Sequence, residues 1–256
     1  MLLPRLIPSL LVDSNFHLVK TRAFTNRNYI GDPLNSAYIF SGFEVDELIV
    51  LDIDASRENR SIPFDFVRAL ASFTSCPLCV GGGISNLDQM RHILALGVEK
   101  IAISESLNNN FKLLEEASNR FGSSSITVII NCYKDNFGLY QGSFGLPSRK
   151  LSKPIDVIAF ECQEAGAGEL IINNINLEGA KKGFDIPLMK SLNEQLSIPL
   201  VALGGCGKTQ DIEELLLATP LSGISCGSYL IYAPNTSQVV MSYPDKSSWF
   251  KEKFQI

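Results

Sequence analysis

Three sets of residues in this sequence have the types and spacing to do chemistry. The first is a series of glycine-rich or polar turns that follow short apolar runs: Gly81-Gly82-Gly83, Ile103-Ser104, Asn173-Asn174 through Gly179, Gly204-Gly205-Cys206-Gly207, and Gly227-Ser228. Backbone N–H groups in glycine turns that lead into helices make anion sites. Tight turns also need glycine, so a single turn decides nothing; two Gly-Gly turns of one kind favour a pair of related phosphate sites. The second set is charged: Arg5, Glu47, Lys100 and Glu169 stand where apolar runs begin. They are ordinary solvated charges, unless two cations and two anions close over one axis as a plug or gate. The third set is six cysteines, at positions 76, 79, 132, 162, 206 and 226. Four touch apolar runs and read as buried free thiols. Cys76-Pro-Leu-Cys79 has redox spacing, but it leads into an apolar run and no second CxxC follows. Neither zinc nor thioredoxin chemistry is indicated.

Gly204 to Thr209 reads GGCGKT, which looks like a P-loop, but the required first glycine would fall on Ala202. The sister turn GGGISN has no lysine, so a nucleoside triphosphatase is not supported. Composition narrows the classes further. The chain has 256 residues, 45% apolar and 19% charged, an ordinary globular balance. A net charge of −5 gives no electrostatic footprint for nucleic acid. Two histidines, His17 and His92, argue against a multi-histidine metal site, and no metal or cofactor is expected. The opening MLLPRLIPSLLV is apolar but holds Arg5 and two prolines, with no basic n-region or cleavage site. No run reaches the roughly 18 charge-free apolar residues of a membrane span. The expectation is a reducing, cytoplasmic setting without membrane contact.

The elements that must position these residues alternate along the chain. The apolar runs are LIPSLLV (6–12), LIVLDI (48–53), PLCV (77–80), KIAIS (100–104), ITVIIN (126–131), LIINN (170–174), PLVAL (199–203) and SGISC (222–226). All are short and apolar on both parities, as strands buried on both faces must be. Helix-period segments lie between them. One runs from Asn86 to Leu96, with Ser85 or Asn86 as cap and Gly97 as stop; Thr209 caps another, and Asp185 precedes a third. Strand–helix alternation means parallel βα units, and eight runs allow a closed barrel or a large open sheet. An internal repeat decides. An offset of 122 residues lays ELIVLDID (47–54) on ELIINNIN (169–176), Pro77 on Pro199, and Gly82-Gly83 on Gly204-Gly205. A duplicated half of four βα units closes into eight, so the expectation is a (βα)8 TIM barrel built from two duplicated (βα)4 halves, one domain over residues 1–256. Tyr133 to Lys150 reads as a long βα loop or hairpin, and VVMSYP, within Ala233 to Ser248, as an extra strand.

The chain resembles the HisF family, the cyclase subunit of imidazole glycerol phosphate synthase, to about residue 232. The matching stretches are RLIPSLLV, GDPLNSAYIFSGFEVDELIVLDIDAS, PLCVGGGI, GVEKI, AGAGELII, GAKKGFD and LVALGGCGK. The resemblance implies a half-barrel duplication and a glutaminase partner of the HisH type at the strand N-terminal face. It also implies ammonia passing through the barrel to a top face that binds a substrate with two phosphates. Arg5, Glu47, Lys100 and Glu169 fall on the family's gate positions with matching types. Lys20, Gly82, Gly83, Ser104, Asn174, Gly179, Gly204, Gly205, Gly227 and Ser228 fall on the phosphate and substrate face. The two catalytic aspartates do not carry over. Leu11 stands in place of the acid in strand one and Asn131 in place of the acid in strand five. Neither exchanges protons near neutral pH, so general acid–base work is lost at both positions together.

Two further departures touch the phosphate sites. Glu105 replaces a threonine and Ala180 another hydroxyl. A carboxylate beside the first-half turn repels phosphate. Firmer anion binding at the second-half turn follows, with a one-sided ligand such as a nucleotide sugar. The departures are similar to those of a paralogue branch associated with acetamidino modification of surface-polysaccharide sugars, in the LL of strand one, LDIDAS, and a late YP-containing segment. That resemblance implies delivery of ammonia to a sugar amidotransferase acting on a phosphorylated small molecule or nucleotide sugar. The rival readings are the cyclase of histidine biosynthesis, and a catalytically silent barrel that binds and activates the glutaminase.

Overall fold

The computed structural model describes residues 4–145, 153–234 and 236–245. Eight strands lie parallel in one continuous ladder: β1 (Arg5–Val12), β4 (Leu48–Asp52), β5 (Leu78–Gly81), β6 (Lys100–Ile103), β7 (Ile126–Lys134), β10 (Glu169–Asn174), β11 (Leu200–Leu203) and β12 (Gly223–Cys226). The ladder closes because β12 pairs with β1, from Arg5 opposite Gly223 to Pro8 opposite Cys226. Helices α1 (Pro33–Gly42), α2 (Phe64–Phe73), α3 (Leu87–Ala95), α4 (Lys112–Phe121), α5 (Ile155–Glu164), α6 (Ile186–Gln195), α7 (Thr209–Ala218) and α8 (Ser228–Ile231) follow the strands. The architecture is a closed (βα)8 TIM barrel.

Closure explains the doubly apolar strands. One parity, Ile7, Ile49, Cys79, Ala102, Ile129, Ile171 and Val201, forms a cluster of its own inside the barrel. The other parity, including Leu48, Val50, Val80, Ile101, Val128, Leu170 and Leu200, joins the helices in the large outer core. Helix starts follow short polar caps. Asp32 accepts from Asn35 N at 2.7 Å ahead of Pro33, and Asn86 accepts from Gln89 N at 2.9 Å. Asp185 accepts from Leu188 N at 3.3 Å. Thr209 is not a cap: Lys208 occupies the cap position, and the carboxylate of Asp211, one turn in, accepts from Gly207 N (2.7 Å) and Lys208 N (3.1 Å). A carboxylate at the third helical position that reaches back to the N–H of the cap residue is the return half of a capping box.

Three excursions interrupt the alternation. β2 (Leu18–Arg22) turns back on β1, and β3 (Thr25–Gly31) pairs with β2, a hairpin the apolar pattern does not announce because β3 is largely exposed. The segment from Tyr133 does form a hairpin: β8 (Tyr140–Ser143) runs antiparallel to β7, and the two-residue β9 (Lys153–Pro154) follows it. The end of that segment, 146–150, lies outside the described residues. VVMSYP forms no strand. It lies along α8 through an isolated bridge, Tyr232 to Val239, with Val240 N donating to Ile231 O (2.9 Å) and Ser242 N to Leu230 O (3.0 Å), and the Tyr243 hydroxyl lies 2.8 Å from Leu6 O and 3.0 Å from Asp46 Oδ2. A closed barrel leaves no free strand edge for it to join.

The 122-residue offset survives in backbone detail. Asp52 Oδ1 accepts from Asp54 N at 3.1 Å, and Asn174 Oδ1 from Asn176 N at 3.0 Å. A Cβ on Gly83 would lie 1.8 Å from Arg60 O, and one on Gly205 would lie 2.0 Å from Gly183 O, both at positive φ. Each turn therefore packs backbone on backbone where only hydrogen fits. Gly83→Ala and Gly205→Ala should each cost about 3 kcal/mol, strain plus displacement of the facing carbonyl. Gly97→Ala, also at positive φ but with nothing within 4 Å of its Cβ, should cost about 1 kcal/mol. Urea unfolding would measure all three; equal losses would show that the close carbonyls do not matter.

Candidate functional site

The barrel interior has three levels along its axis. At the strand N-terminal end, Arg5, Glu47, Lys100 and Glu169 meet in a closed ring. The Arg5 guanidinium donates to Glu47 and to Glu169, and Lys100 Nζ donates to Glu47 Oε2 (2.8 Å) and Glu169 Oε1 (3.1 Å). Each carboxylate serves both cations, and both carboxylates are buried. Burial pulls the Arg5 and Lys100 pKa values down, but the charges of Glu169 and Glu47 outweigh it and both end raised. Above the ring sits the apolar level of Ile7, Ile49, Cys79, Ala102, Ile129, Ile171 and Val201. Above that, the strand C-terminal ends open into a cavity. Sequence periodicity places all three levels on one parity, since Arg5, Ile7 and Ser9 alternate along β1 as Glu169, Ile171 and Asn173 do along β10.

The cavity wall brings together Leu11, Lys20, Gly82, Gly83, Ser104, Asn131, Gly179, Gly204, Gly205, Gly227 and Ser228. Asn174 is not part of that wall, and its assignment to the substrate face is corrected. It lies on the outward parity, where Nδ2 donates to Asp185 Oδ2 at 3.0 Å and Oδ1 holds Asn176 N. Its neighbour Asn173 lines the cavity instead. Ser104 and Asn131 are both engaged by one turn. Gly145 N donates to Ser104 Oγ at 2.8 Å, and Asn131 Nδ2 donates to Gly145 O at 2.6 Å. Glu105 packs beneath the same turn, 2.7 Å from where a Cβ on Gly145 would stand.

Lys20 is fully buried, and its Nζ donates to Ser9 O at 2.6 Å beside Gly227, whose Cβ would strike that nitrogen. Burial pushes its pKa down to about 8, although the charge of Glu178 pulls the other way. Glu178 is itself raised by burial, against hydrogen bonds from Thr21 Oγ1 (2.9 Å) and Phe24 N (3.3 Å). Those bonds tie the β2–β3 hairpin to the second half of the barrel. Arg27 ties it to the first half, donating to both oxygens of Asp54 at 2.5 Å and holding that carboxyl below its ordinary range. Arg60 in turn donates to Asp52 at 2.5 Å. Sequence reasoning noted Asn173 only as part of a polar strand end, and missed Ser225 and this acid–arginine group. The run LDIDASRENR, with acids and arginines crowded after a strand, was the available signal.

Thiol and P-loop chemistry have no support in this geometry. All six cysteines are buried and unpaired, and burial pushes the Cys132 thiol up to about 12. The N–H groups at Gly207 and Lys208 are filled by Asp211 rather than left for a phosphate. Among the described residues, no group of three metal-ligating side chains gathers, and no helix is long and apolar enough to cross a membrane.

The profile of a family described as histidine biosynthesis protein matches residues 5–235. The chain is 37% identical over 254 residues to a Leptospira borgpetersenii protein provisionally named imidazole glycerol phosphate synthase subunit HisF, covering 98% of this chain and 100% of that one. It is 36% identical over 241 residues to a Pseudomonas aeruginosa protein whose provisional name numbers it a second HisF subunit of that synthase, covering 94% and 96%. It is 31% identical over 255 residues to the imidazole glycerol phosphate synthase subunit HisF of Clostridium botulinum, covering 97% and 98%.

Lys20 generates a stability test. Its folded pKa of about 8 lies below the ordinary 10.5 of lysine. Below pH 8 both folded and unfolded chains carry the proton, so the cost of burying the charge is borne in full. Between pH 8 and 10.5 the folded chain gives it up first, so this group's penalty shrinks as pH rises. Lys20→Met should therefore stabilise the protein at pH 7 by on the order of 3 kcal/mol at most, and the gain should fade toward pH 10.5. Thermal melts of both proteins across that range would check it; a pH-independent difference would contradict it.

Proposed function

The chain belongs to the histidine biosynthesis protein family and is HisF-like, and from that premise we propose that it is the synthase-side subunit of a glutamine amidotransferase complex. In this reading a glutaminase docks at the strand N-terminal face, where Arg5, Glu47, Lys100 and Glu169 act as the ammonia gate. Ammonia crosses the barrel and reaches an acceptor in the top cavity. The observation that carries the reading is the sequence of levels on one axis: a paired charge ring, an apolar sleeve, and an open polar cavity. An ion would lose its hydration in the sleeve, whereas a small neutral molecule would lose little.

Leu11 and Asn131 support an acceptor chemistry other than cyclisation, because neither offers a proton at neutral pH. By resemblance to the paralogue branch, the acceptor is a surface-polysaccharide sugar undergoing amidation to an acetamidino group, with a sugar amidotransferase as a further partner and the cytoplasm as the setting. The names of the relatives favour a second reading, cyclase of histidine biosynthesis.

Two experiments separate these. With the co-purified glutaminase, Lys100→Glu should lower glutamine-dependent product formation at least tenfold and leave ammonium-driven turnover within about twofold. Equal loss with both nitrogen sources, or no glutaminase partner at all, would sink the gate. With the histidine-pathway substrate and ammonium salts, the wild-type chain should show no cyclase turnover, and Leu11→Asp with Asn131→Asp should restore some. Robust wild-type turnover would establish the second reading.

A further inference from the structure

Tyr243, in the YP-containing segment, belongs to neither the repeat nor the cavity, yet its hydroxyl ends beside the charge ring. Three ring members sit in strands paired at the level of the ring: Arg5 opposite Gly223, Lys100 opposite Cys79, and Glu169 opposite Thr127. The seam between β1 and β4 differs. These strands pair only from Ser9 opposite Ile49 upward. Pro8 has no N–H to give that ladder. Leu6 N donates to a side chain instead, Asp46 Oδ2 at 2.7 Å. Arg5 precedes Leu6 and Glu47 follows Asp46, so the two stand on either side of this open seam.

The duplicated seam shows what is missing. The rung Ser9 opposite Ile49 repeats as Ile129 opposite Ile171, so Leu6 and Asp46 correspond to Ile126 and Gly168. In the second half Gly168 N donates directly to Ile126 O at 3.1 Å. In the first half the Tyr243 hydroxyl stands between the equivalent groups. It accepts from Asp46 N at a long 3.5 Å, and its own proton lies between Leu6 O (2.8 Å) and Asp46 Oδ2 (3.0 Å). One hydroxyl from outside the repeat replaces a rung of the ladder. Burial and the charge of Asp46 push its pKa up, so it keeps the proton it donates. Glu47 depends on this rung more than Glu169 depends on its own. Glu169 lies within β10 and spends its two oxygens on Arg5, Lys100 and Thr127 Oγ1 (3.5 Å). Glu47 precedes β4; its Oε2 takes both cations, and its buried Oε1 has no hydrogen-bond partner among the described residues.

We propose that Tyr243 is a positioning residue of the ring: by bridging Asp46 and Leu6 it holds Glu47 where one oxygen serves both Arg5 and Lys100. The closed ring then depends on a hydroxyl that the C-terminal segment supplies. Without it, the Asp46 N–H and the Leu6 carbonyl lose their bridge, and nothing else on the β1 side fixes the residue that leads into β4. Lys100 would keep Glu169 and lose Glu47. A nearby carboxylate favours the ammonium form, so that loss lowers the Lys100 pKa. That Tyr243 thereby sets an ammonia gate rests on the proposed function; the positioning of Glu47 does not.

The test uses the purified chain alone, so the absence of a glutaminase would sink the gate and leave this experiment readable. Acetic anhydride acetylates the neutral amine, and the exposed Lys112 on α4 serves as internal standard. Tyr243→Phe removes no charge, so a change at Lys100 must come through position. Relative to Lys112, Lys100 in Tyr243→Phe should react about fivefold faster than in the wild type at about pH 9, and its rate-against-pH curve should move to lower pH. Tyr140→Phe is the control. It deletes a hydroxyl that donates to Asp185 Oδ1 at 2.6 Å on the strand C-terminal side. That loss, remote from the ring, should leave Lys100 within about twofold of the wild type. Melting curves would show both variants folded at the labelling temperature. An unmoved Lys100 curve in Tyr243→Phe would overturn the proposal. So would an equal acceleration in Tyr140→Phe, which would mark the effect as general loosening.

Discussion

The pairing of β12 with β1 is the constraint from which the rest follows. Once Arg5 stands opposite Gly223 and the ladder is closed, every second residue of eight strands must point at one axis. Residues far apart in sequence then become neighbours. Glu47 and Glu169 share two cations only because their strands enter the barrel at the same level. The same parity carries the apolar sleeve above them and Ser9, Asn131 and Asn173 above that.

The ring shows how such a constraint is tolerated energetically. Buried charges are expensive, and removing one member of a buried pair typically costs about 3–5 kcal/mol because the partner is left uncompensated. Here two cations and two carboxylates sum to zero, and each carboxylate is bonded by both cations. Arg5 and Lys100 remain partly accessible from the N-terminal face, with a quarter and a fifth of their side chains exposed. Under the proposed reading, that accessibility from outside lets the ring serve as a gate rather than a permanent plug. A group sealed on both sides would serve stability no better than apolar residues of the same volume.

Much of this was legible in the sequence because closure and duplication leave periodic marks. Strands apolar on both parities, glycine pairs at a fixed offset, and charges at strand starts each reflect a geometric necessity. What was not legible depended on which way a side chain turns. Asn173 and Asn174 are identical in type and adjacent, yet parity sends one into the cavity and the other to Asp185. VVMSYP has strand composition but finds no free edge, so composition alone misleads there. The β2–β3 hairpin escaped notice because its outer strand is largely exposed and is tied down by ion pairing and hydrogen bonds, Arg27 of β3 on Asp54 and Thr21 of β2 on Glu178, rather than by an apolar face.

The two halves have kept their backbones and diverged in their side chains. Gly83 and Gly205 still press against facing carbonyls at nearly equal distances, and Asp52 and Asn174 still organise the same turn. Over that symmetric frame the side chains differ: Gly145 engages Ser104 and Asn131, whereas Lys20 donates to Ser9 O. Under the proposed reading, ammonia leaving the sleeve must stay unprotonated to act as a nucleophile. A carboxylate at the exit, ionised at neutral pH, would favour ammonium through its charge, whereas the Asn131 amide held between Gly145 and Asn173 offers hydrogen bonds and no charge. Under that reading, the uncharged exit suits a conduit that hands ammonia to a separate acceptor.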